Sequence, residues 1–291
     1  MIRYSIARDV LIERIASANP NWSTKATDRT AVYSRAQKYT GGTEFWGDIK
    51  QVYIDLQHEK CAYCETKLQG AALASKVHEV EHFRPKSSVA AWPNRKKKHW
   101  KSFPATIPTG DASTNGYYLL AYNPFNYAIA CTRCNSTLKS NHFPIRGARN
   151  VALKDPADAG AEDALLIYPL SDLDVDPLEL LTFESVLAVP RATSGPNHER
   201  AVTTITFFQL NHQDLTTRRA NLLQSLWIAL EQARTARAAR DRLFASQLVE
   251  RLCAEAAEFS ACMTAFRTLY ATDRARARET AHEASSVAQT L

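Results

Sequence analysis

Two short stretches, Cys61-Ala62-Tyr63-Cys64 and Cys131-Thr132-Arg133-Cys134, decide how this chain reads. Each puts two thiols on one tight turn, and two such knuckles face to face make the four-sulfur shell of a structural zinc ion. With all four positions filled by protein, that shell has no room for water or substrate, so zinc there would serve the fold. The 66 residues between the pairs far exceed a zinc-ribbon spacing. The metal is therefore expected to staple the two ends of a longer, loop-rich module whose core is thin. A redox Cys-x-x-Cys is the competing reading, but it wants one reactive pair opening a helix after a strand, not two matched pairs. The other two thiols, Cys253 and Cys262, fall in a helical tail and are expected to pack as small hydrophobes.

Between the knuckles, Val77-His78-Glu79-Val80-Glu81-His82-Phe83 reads as a short strand ending at Pro85. Trp92 to Asn115, rich in Lys, Pro, Thr and Gly, reads as an inserted loop. Tyr127-Ala128-Ile129-Ala130 then leads into the second cysteine pair. On the N-terminal side, residues 1–58 read as helical. Leu11, Ile12 and Ile15 form one apolar stripe, and Phe45, Ile49, Val52, Tyr53 and Leu56 another, with Thr43 as N-cap after Gly41-Gly42. Beyond 150, four prolines (Pro156, Pro169, Pro177, Pro190) punctuate an irregular region with strand-like runs at Val186–Val189 and a β-branched, aromatic run at Val202–Phe208. Asn211 reads as the N-cap of a helical tail, with Asp214 at its third position and Leu215, Leu222, Leu223, Leu226 and Leu230 along one face. Helix is expected to about Tyr270, and fraying from there to Leu291. The expected organisation is an N-terminal helical region (1–58), a central module (59–150) and a mostly helical C-terminal region (151–291), with no internal repeat.

The chain has 291 residues, 45% hydrophobic and 23% charged, which is ordinary globular composition. Its N-terminus lacks the charged-then-apolar pattern of a secretory signal, and no apolar run approaches the ~20 residues needed to cross a bilayer. A soluble, cytoplasmic protein is expected, and in that compartment six cysteines are not a disulfide framework. The net charge of +6 is unevenly spread. From Lys60 to Arg149 there are fourteen Lys or Arg against four acids (Glu65, Glu79, Glu81 and Asp111), so the flanks are slightly acidic. A basic middle suggests that this part alone meets a polyanion, the alternative being a solvated basic face.

Beside the cysteines stand Glu81-His82, then Arg84-Pro85-Lys86, Asn126, Asn135 and Lys139. A histidine, oxygen ligands for a hard cation and lysines are what hydrolysis of a phosphodiester needs: a base for water, a divalent ion for developing charge, and a hold on the phosphate. In order and spacing, Cys61–Cys64, Val80–Lys86, Leu120–Asn126, Cys131–Asn135, Lys139 and Phe143-Pro144-Ile145 resemble the HNH endonucleases. The likeness is greatest to the branch found in Septu and retron anti-phage defence systems. It extends more weakly through Thr204-Ile205, Leu210-Asn211 and Arg218, covering roughly residues 59–220.

The resemblance implies an α+β fold: a central ββα-metal (His-Me finger) HNH module with structural zinc, flanked by N- and C-terminal helical regions. It implies that His82 is the general base, Glu81 and Asn135 the ligands of a catalytic Mg²⁺ or Mn²⁺, Asn126 a brace for the loop between strand and helix, and Lys139 a residue near the phosphates. The acid before the base is commonly Asp, so the longer Glu81 leaves metal preference open, and Glu79 is the alternative ligand if the strand register differs. The implied reaction is cleavage of DNA. Relatives of this branch work with an ABC-type ATPase, so a protein partner is implied too. The residues themselves leave open a ribonuclease with the same site and a zinc-dependent nucleic-acid-binding module without catalysis. Arg84, Lys86 and the insertion Arg95-Lys96-Lys97-Lys98-His99-Trp100-Lys101 are the expected nucleic-acid contacts, with Trp92 or Trp100 able to stack on an unpaired base. A flexible, solvated loop is the alternative for that insertion.

Overall fold

Helical stripes in the first fifty residues build a short helical shoulder. The computed structural model describes residues 1–68 and 79–288. Helix α1 (Arg8–Ala18) buries Leu11 and Ile15 and leaves Ile12 exposed, so the apolar stripe there is narrower than its three residues suggest. Helix α2 (Trp22–Ala36) buries Trp22, Ala26 and Tyr33 on one face. The next helix opens later than Thr43. A 3-10 turn at Trp46–Ile49, preceded by Phe45 with no side-chain cap, runs into α3 (Lys50–Leu56). The Thr43 cap is thus corrected: Gly41 and Gly42, both at positive φ, still turn the chain there, and helical geometry starts only where Ile49, Val52 and Tyr53 reach the core.

The first cysteine pair follows directly, and strand β1 (Glu79–His82) comes next among the described residues. Val77 and His78 of the expected strand lie outside the described residues. β1 pairs antiparallel with β2 (Tyr127–Ala130) in the register Glu79↔Ala130, Val80↔Ile129, Glu81↔Ala128 and His82↔Tyr127. β2 is buried throughout and delivers the chain into Cys131. The helical segment beyond is a π-helix, Arg133–Lys139, which buries Cys134, Asn135, Leu138 and Lys139. Single turns of this type often accompany functional sites.

The insertion is not a free loop. Trp92, Trp100 and Phe103 are buried, and Trp100 meets Phe207 of helix α4 (Gly195–Phe207). That helix corrects the strand-like reading of Val202–Phe208. Its β-branched residues pay only a small propensity cost, and the run buries Thr203, Thr204 and Phe207 at helical spacing. Strands β3 (Leu181–Glu184) and β4 (Leu187–Pro190) form a second antiparallel hairpin.

Asn211 does not cap the next helix. Its amide instead bonds both backbone groups of Ala188 on β4, at 2.7 and 2.9 Å. His212 is the cap of α5 (Gln213–Thr235), its Nδ1 accepting from Asp214 N–H at 3.3 Å. α5 packs against α6 (Ala239–Cys253) and α8 (Arg274–Ala288), with α7 (Ser260–Thr272) beside them. The end of the chain, expected to fray, is helical to Ala288, because Ala277, Ala281 and Ala284 repeat every third or fourth residue and are buried.

The described residues thus combine helices with two small sheets, an α+β fold. The hydrophobic core runs continuously through all three sequence regions. Tyr4 bonds Pro169 and Ser171 across that distance, at 2.8 and 2.9 Å. Among the described residues, no helix is long and apolar enough to cross a membrane.

Candidate functional site

The four cysteines converge. Cys61, Cys64, Cys131 and Cys134 place their sulfurs within 4.8 Å of one another, and Cys64 Sγ to Cys131 Sγ measures 3.8 Å. Sulfurs at about 2.3 Å from one central zinc lie about 3.8 Å apart in a tetrahedron, so the shell is the right size and chemistry to hold a zinc ion. All four are free thiols. Local backbone bonds bring the knuckles together: Ala62 N–H donates to Ile129 C=O at 3.0 Å, so the first knuckle hangs on the strand that carries the second. Gln57 locks this arrangement. Its amide accepts from Ile129 N–H at 2.8 Å and donates to Ile129 C=O at 2.9 Å and Lys60 C=O at 3.1 Å.

Beside this centre lies a cavity of about 390 Å³ whose walls include Trp46, Glu79, Glu81, His82, Lys86 and Asn135. His82 Nε2–H donates to the Ala121 carbonyl at 3.0 Å, and the same carbonyl accepts from Tyr127 Oη at 2.6 Å. That bond fixes the tautomer and leaves Nδ1 as the nitrogen with a free lone pair. Burial, and the nearby positive charge of Lys86, push the imidazole down to about 3, so His82 is neutral at neutral pH.

Asn126 is fully buried and clips the turn after β1. Its Oδ1 accepts from Arg84 N–H at 2.8 Å, while Nδ2 donates to Arg84 C=O at 3.0 Å and Leu120 C=O at 3.2 Å. Asn135, on the π-helix, reaches across to Glu79, its Nδ2 donating to Oε2 at 3.4 Å. The carboxylate nearest Asn135 is therefore Glu79. Glu81 points deeper, 3.2 Å from Lys139 Nζ. Burial raises Glu81 to about 7 against the opposing pull of Lys139. Glu79, Glu81 and Asn135 together offer oxygen donors suited to a hard divalent cation.

Three expectations for individual residues are corrected by the geometry. Lys139 is expected near the phosphates, but its ammonium is wholly buried, held by Glu81 and by the His82 carbonyl at 3.4 Å. A desolvated ammonium needs such partners, which accounts for its inward turn. Arg84 likewise faces inward. Its Nε donates to buried Glu162 at 2.9 Å, and its guanidinium lies 5.2 Å from the Phe143 ring centre. Trp92 and Trp100 are core residues, 5.7 Å apart edge to face, and are not open to stack on a base. Around them Lys96, Lys98 and Lys101 are exposed, Lys97 Nζ lies 4.8 Å over Trp100, and Arg95 bonds the Phe103 carbonyl at 3.1 Å. Lys86 does face the pocket.

Comparison with known proteins adds one relative. Over 178 residues the chain is 29% identical to the Septu protein PtuB of Bacillus mycoides (strain KBAB4). The similarity is to a Septu protein. It takes in 61% of this chain and 52% of that protein, so the chain spans about half the length of the curated relative it matches. No family model matches, and no solved structure matches significantly.

Gln57, Trp46 and Glu162 are site residues that the sequence pattern does not single out. Gln57 and Trp46 lie in the helical N-terminal region, and Glu162 lies beyond 150. Periodicity marks helices but not which polar side chain will turn inward. Only the alternation of Glu79 and Glu81 on β1 carries a usable signal, since both then project from the same strand face.

Proposed function

We propose that this chain is a metal-dependent HNH endonuclease that hydrolyses phosphodiester bonds of DNA. The observation that carries the reading is the convergence, in one pocket, of a neutral histidine of fixed tautomer with oxygen donors and a lysine. His82 Nδ1 takes a proton from the attacking water. Lys86 offsets charge on a non-bridging phosphate oxygen. Glu81 and Asn135, with Glu79 at hand, would hold a divalent cation, Mg²⁺ or Mn²⁺, which when bound would supply charge neutralisation at the phosphate and leaving oxygen. Asn126 keeps Arg84 and the following Pro85-Lys86 in register with β1, so that base and lysine face the same phosphate. The cysteine shell would hold structural zinc.

The similarity to a Septu protein supports a role in anti-phage defence. A protein partner, expected to be an ABC-type ATPase, accompanies that role. Co-elution of the two on size exclusion is the expected result, and separate elution counts against the partnership.

The function is tested by incubating the zinc-loaded protein with duplex DNA, single-stranded DNA and structured RNA in Mg²⁺ or Mn²⁺. Cleavage of DNA that disappears in His82→Ala is expected. Cleavage of RNA alone would move the substrate class. Binding without cleavage would leave a zinc-dependent binding module.

A further inference from the structure

The pocket around His82 is walled in part by Trp46, which comes from the N-terminal helical region and not from the segment between the cysteine pairs. The Trp46 ring stands at 90° to the His82 imidazole with centroids 4.9 Å apart, and Tyr127 makes a second edge contact at 5.0 Å and 80°. One hydrogen bond, from Nε2 to Ala121, leaves the imidazole able to swing about the bond axis. Aromatic contacts at these angles remove that freedom.

The same Trp46 ring meets a second pocket residue. Lys86 Nζ lies 4.4 Å from its centre and 5.5 Å from that of Tyr39. No carboxylate forms an ion pair with this ammonium among the described residues; Glu44, Glu81 and Glu79 act on it only at longer range. A cation held by aromatic faces keeps its three N–H donors, whereas one held by a carboxylate has given some of them away. Lys86 is therefore presented to the pocket with its donors available for an anion.

We infer that Trp46 is a positioning residue for two groups at once, fixing the plane of the His82 imidazole and holding the Lys86 ammonium toward a phosphate oxygen bound in the same pocket. The inference rests on the nuclease reading above. It makes the active site composite, with one wall supplied by residues before the zinc module.

The test uses the full, zinc-loaded chain and four variants: Trp46→Phe, Trp46→Leu, Lys86→Gln and the Trp46→Leu/Lys86→Gln pair. Two quantities are read, cleavage kinetics on a fluorophore-labelled duplex and the His82 ring resonances in histidine-labelled protein, assigned by their loss in His82→Ala. Trp46→Leu is expected to lower kcat roughly tenfold or more, because a displaced base loses its near-attack geometry. Lys86→Gln is expected to act mainly on KM. The double variant should fall below Lys86→Gln alone, since the effect on His82 does not pass through the lysine. Trp46→Phe should restore most of the rate, and His82 resonances should move further in Trp46→Leu than in Lys86→Gln, which removes only a nearby charge. A folded Trp46→Leu protein with wild-type kcat, or unmoved His82 resonances, overturns the inference and leaves the nuclease reading standing. A wild type that cuts no nucleic acid overturns the nuclease reading and the phosphate role with it, while the resonances still decide whether Trp46 orients His82.

Discussion

Replacing Asn126 by Ala and by Asp separates what this side chain does by shape from what it does by hydrogen bonding. Asn126 has no exposed surface and makes three bonds, at 2.8, 3.0 and 3.2 Å, to Arg84 N–H, Arg84 C=O and Leu120 C=O. Alanine leaves Arg84 N–H and Arg84 C=O without a partner, while Leu120 C=O keeps its bond from Asn123 N–H at 3.2 Å. A buried polar group stripped of its partner costs about 1–3 kcal/mol, so two of them, with some relaxation, put Asn126→Ala near 2–4 kcal/mol. Aspartate keeps the acceptor for Arg84 N–H but turns a donor into a carboxylate oxygen facing two carbonyls. At neutral pH that charge is buried among acceptors, so Asn126→Asp is expected to be at least as damaging as alanine despite its near-identical shape. Against a total stability of about 5–15 kcal/mol, either loss is large. The assay is urea unfolding at pH 7.5 with zinc held constant, reading the midpoint at unchanged slope. An Asn126→Asp protein as stable as wild type, or an alanine variant losing less than about 1 kcal/mol, would refute the claim that these bonds hold the loop.

Other perturbations test the rest of the site. Cys131→Ser should bring the zinc content, read by metal analysis of the purified protein, well below one per chain and lower the unfolding midpoint; full zinc loading would contradict the shared shell. Removing one partner of the buried Glu81–Lys139 pair, as in Lys139→Met, should cost about 3–5 kcal/mol, and Glu81→Gln/Lys139→Met should recover part of it. Glu81 sits at about 7 in the fold and near 4.5 as an ordinary carboxyl, so its stabilising contribution is complete below about 4.5 and is lost as pH rises to about 7. Stability measured from pH 4.5 to 7 without divalent metal should therefore lose part of its downward slope in Glu81→Gln. Neutralising Lys96, Lys97 and Lys98 should flatten the salt dependence of nucleic-acid binding by about one unit of log–log slope for each phosphate no longer neutralised; an unchanged slope would remove the insertion from the binding surface.

The parts of the site whose chemistry is local are legible in the sequence. Two Cys-x-x-Cys knuckles, with Tyr127–Ala130 running into the second, are enough to expect a shared sulfur shell, because two matched pairs of thiols on tight turns suit a tetrahedral zinc site. His82, Glu81 and Asn135 stand out by type and order, and all three line the same cavity. What stays hidden depends on distant partners. Lys139 and Arg84 look like surface cations until Glu81 and Glu162 arrive from elsewhere in the chain and make burial tolerable. Trp92 and Trp100 look like stacking platforms until Phe207, more than a hundred residues on, closes over them. Val202–Phe208 has strand-like composition, and tertiary burial of one helical face overrides it.

The same long-range dependence bears on how the sulfur shell and the pocket are held. Lys60, one residue before the first knuckle, donates to the Glu255 carbonyl at 2.6 Å, the Ala257 carbonyl at 3.1 Å and Ser260 Oγ at 3.1 Å. Glu65, just after the knuckle, accepts from Ser260 Oγ at 2.9 Å, and Lys67 N–H donates to Glu258 at 2.8 Å. The loop between α6 and α7 thus grips the first knuckle from outside, while Gln57 grips it from the N-terminal side and ties it to β2. β2 in turn carries Tyr127, which supports His82, and pairs with the strand that bears Glu79 and Glu81. A displacement of the C-terminal helices therefore has a short mechanical route to His82: loop, knuckle, β2, imidazole. Two discrete states of that loop would be needed for such a route to carry regulation, because a packed core passes on a shift only where an alternative packing exists. The helical flank is for this reason part of the scaffold that holds the cysteine shell and the pocket.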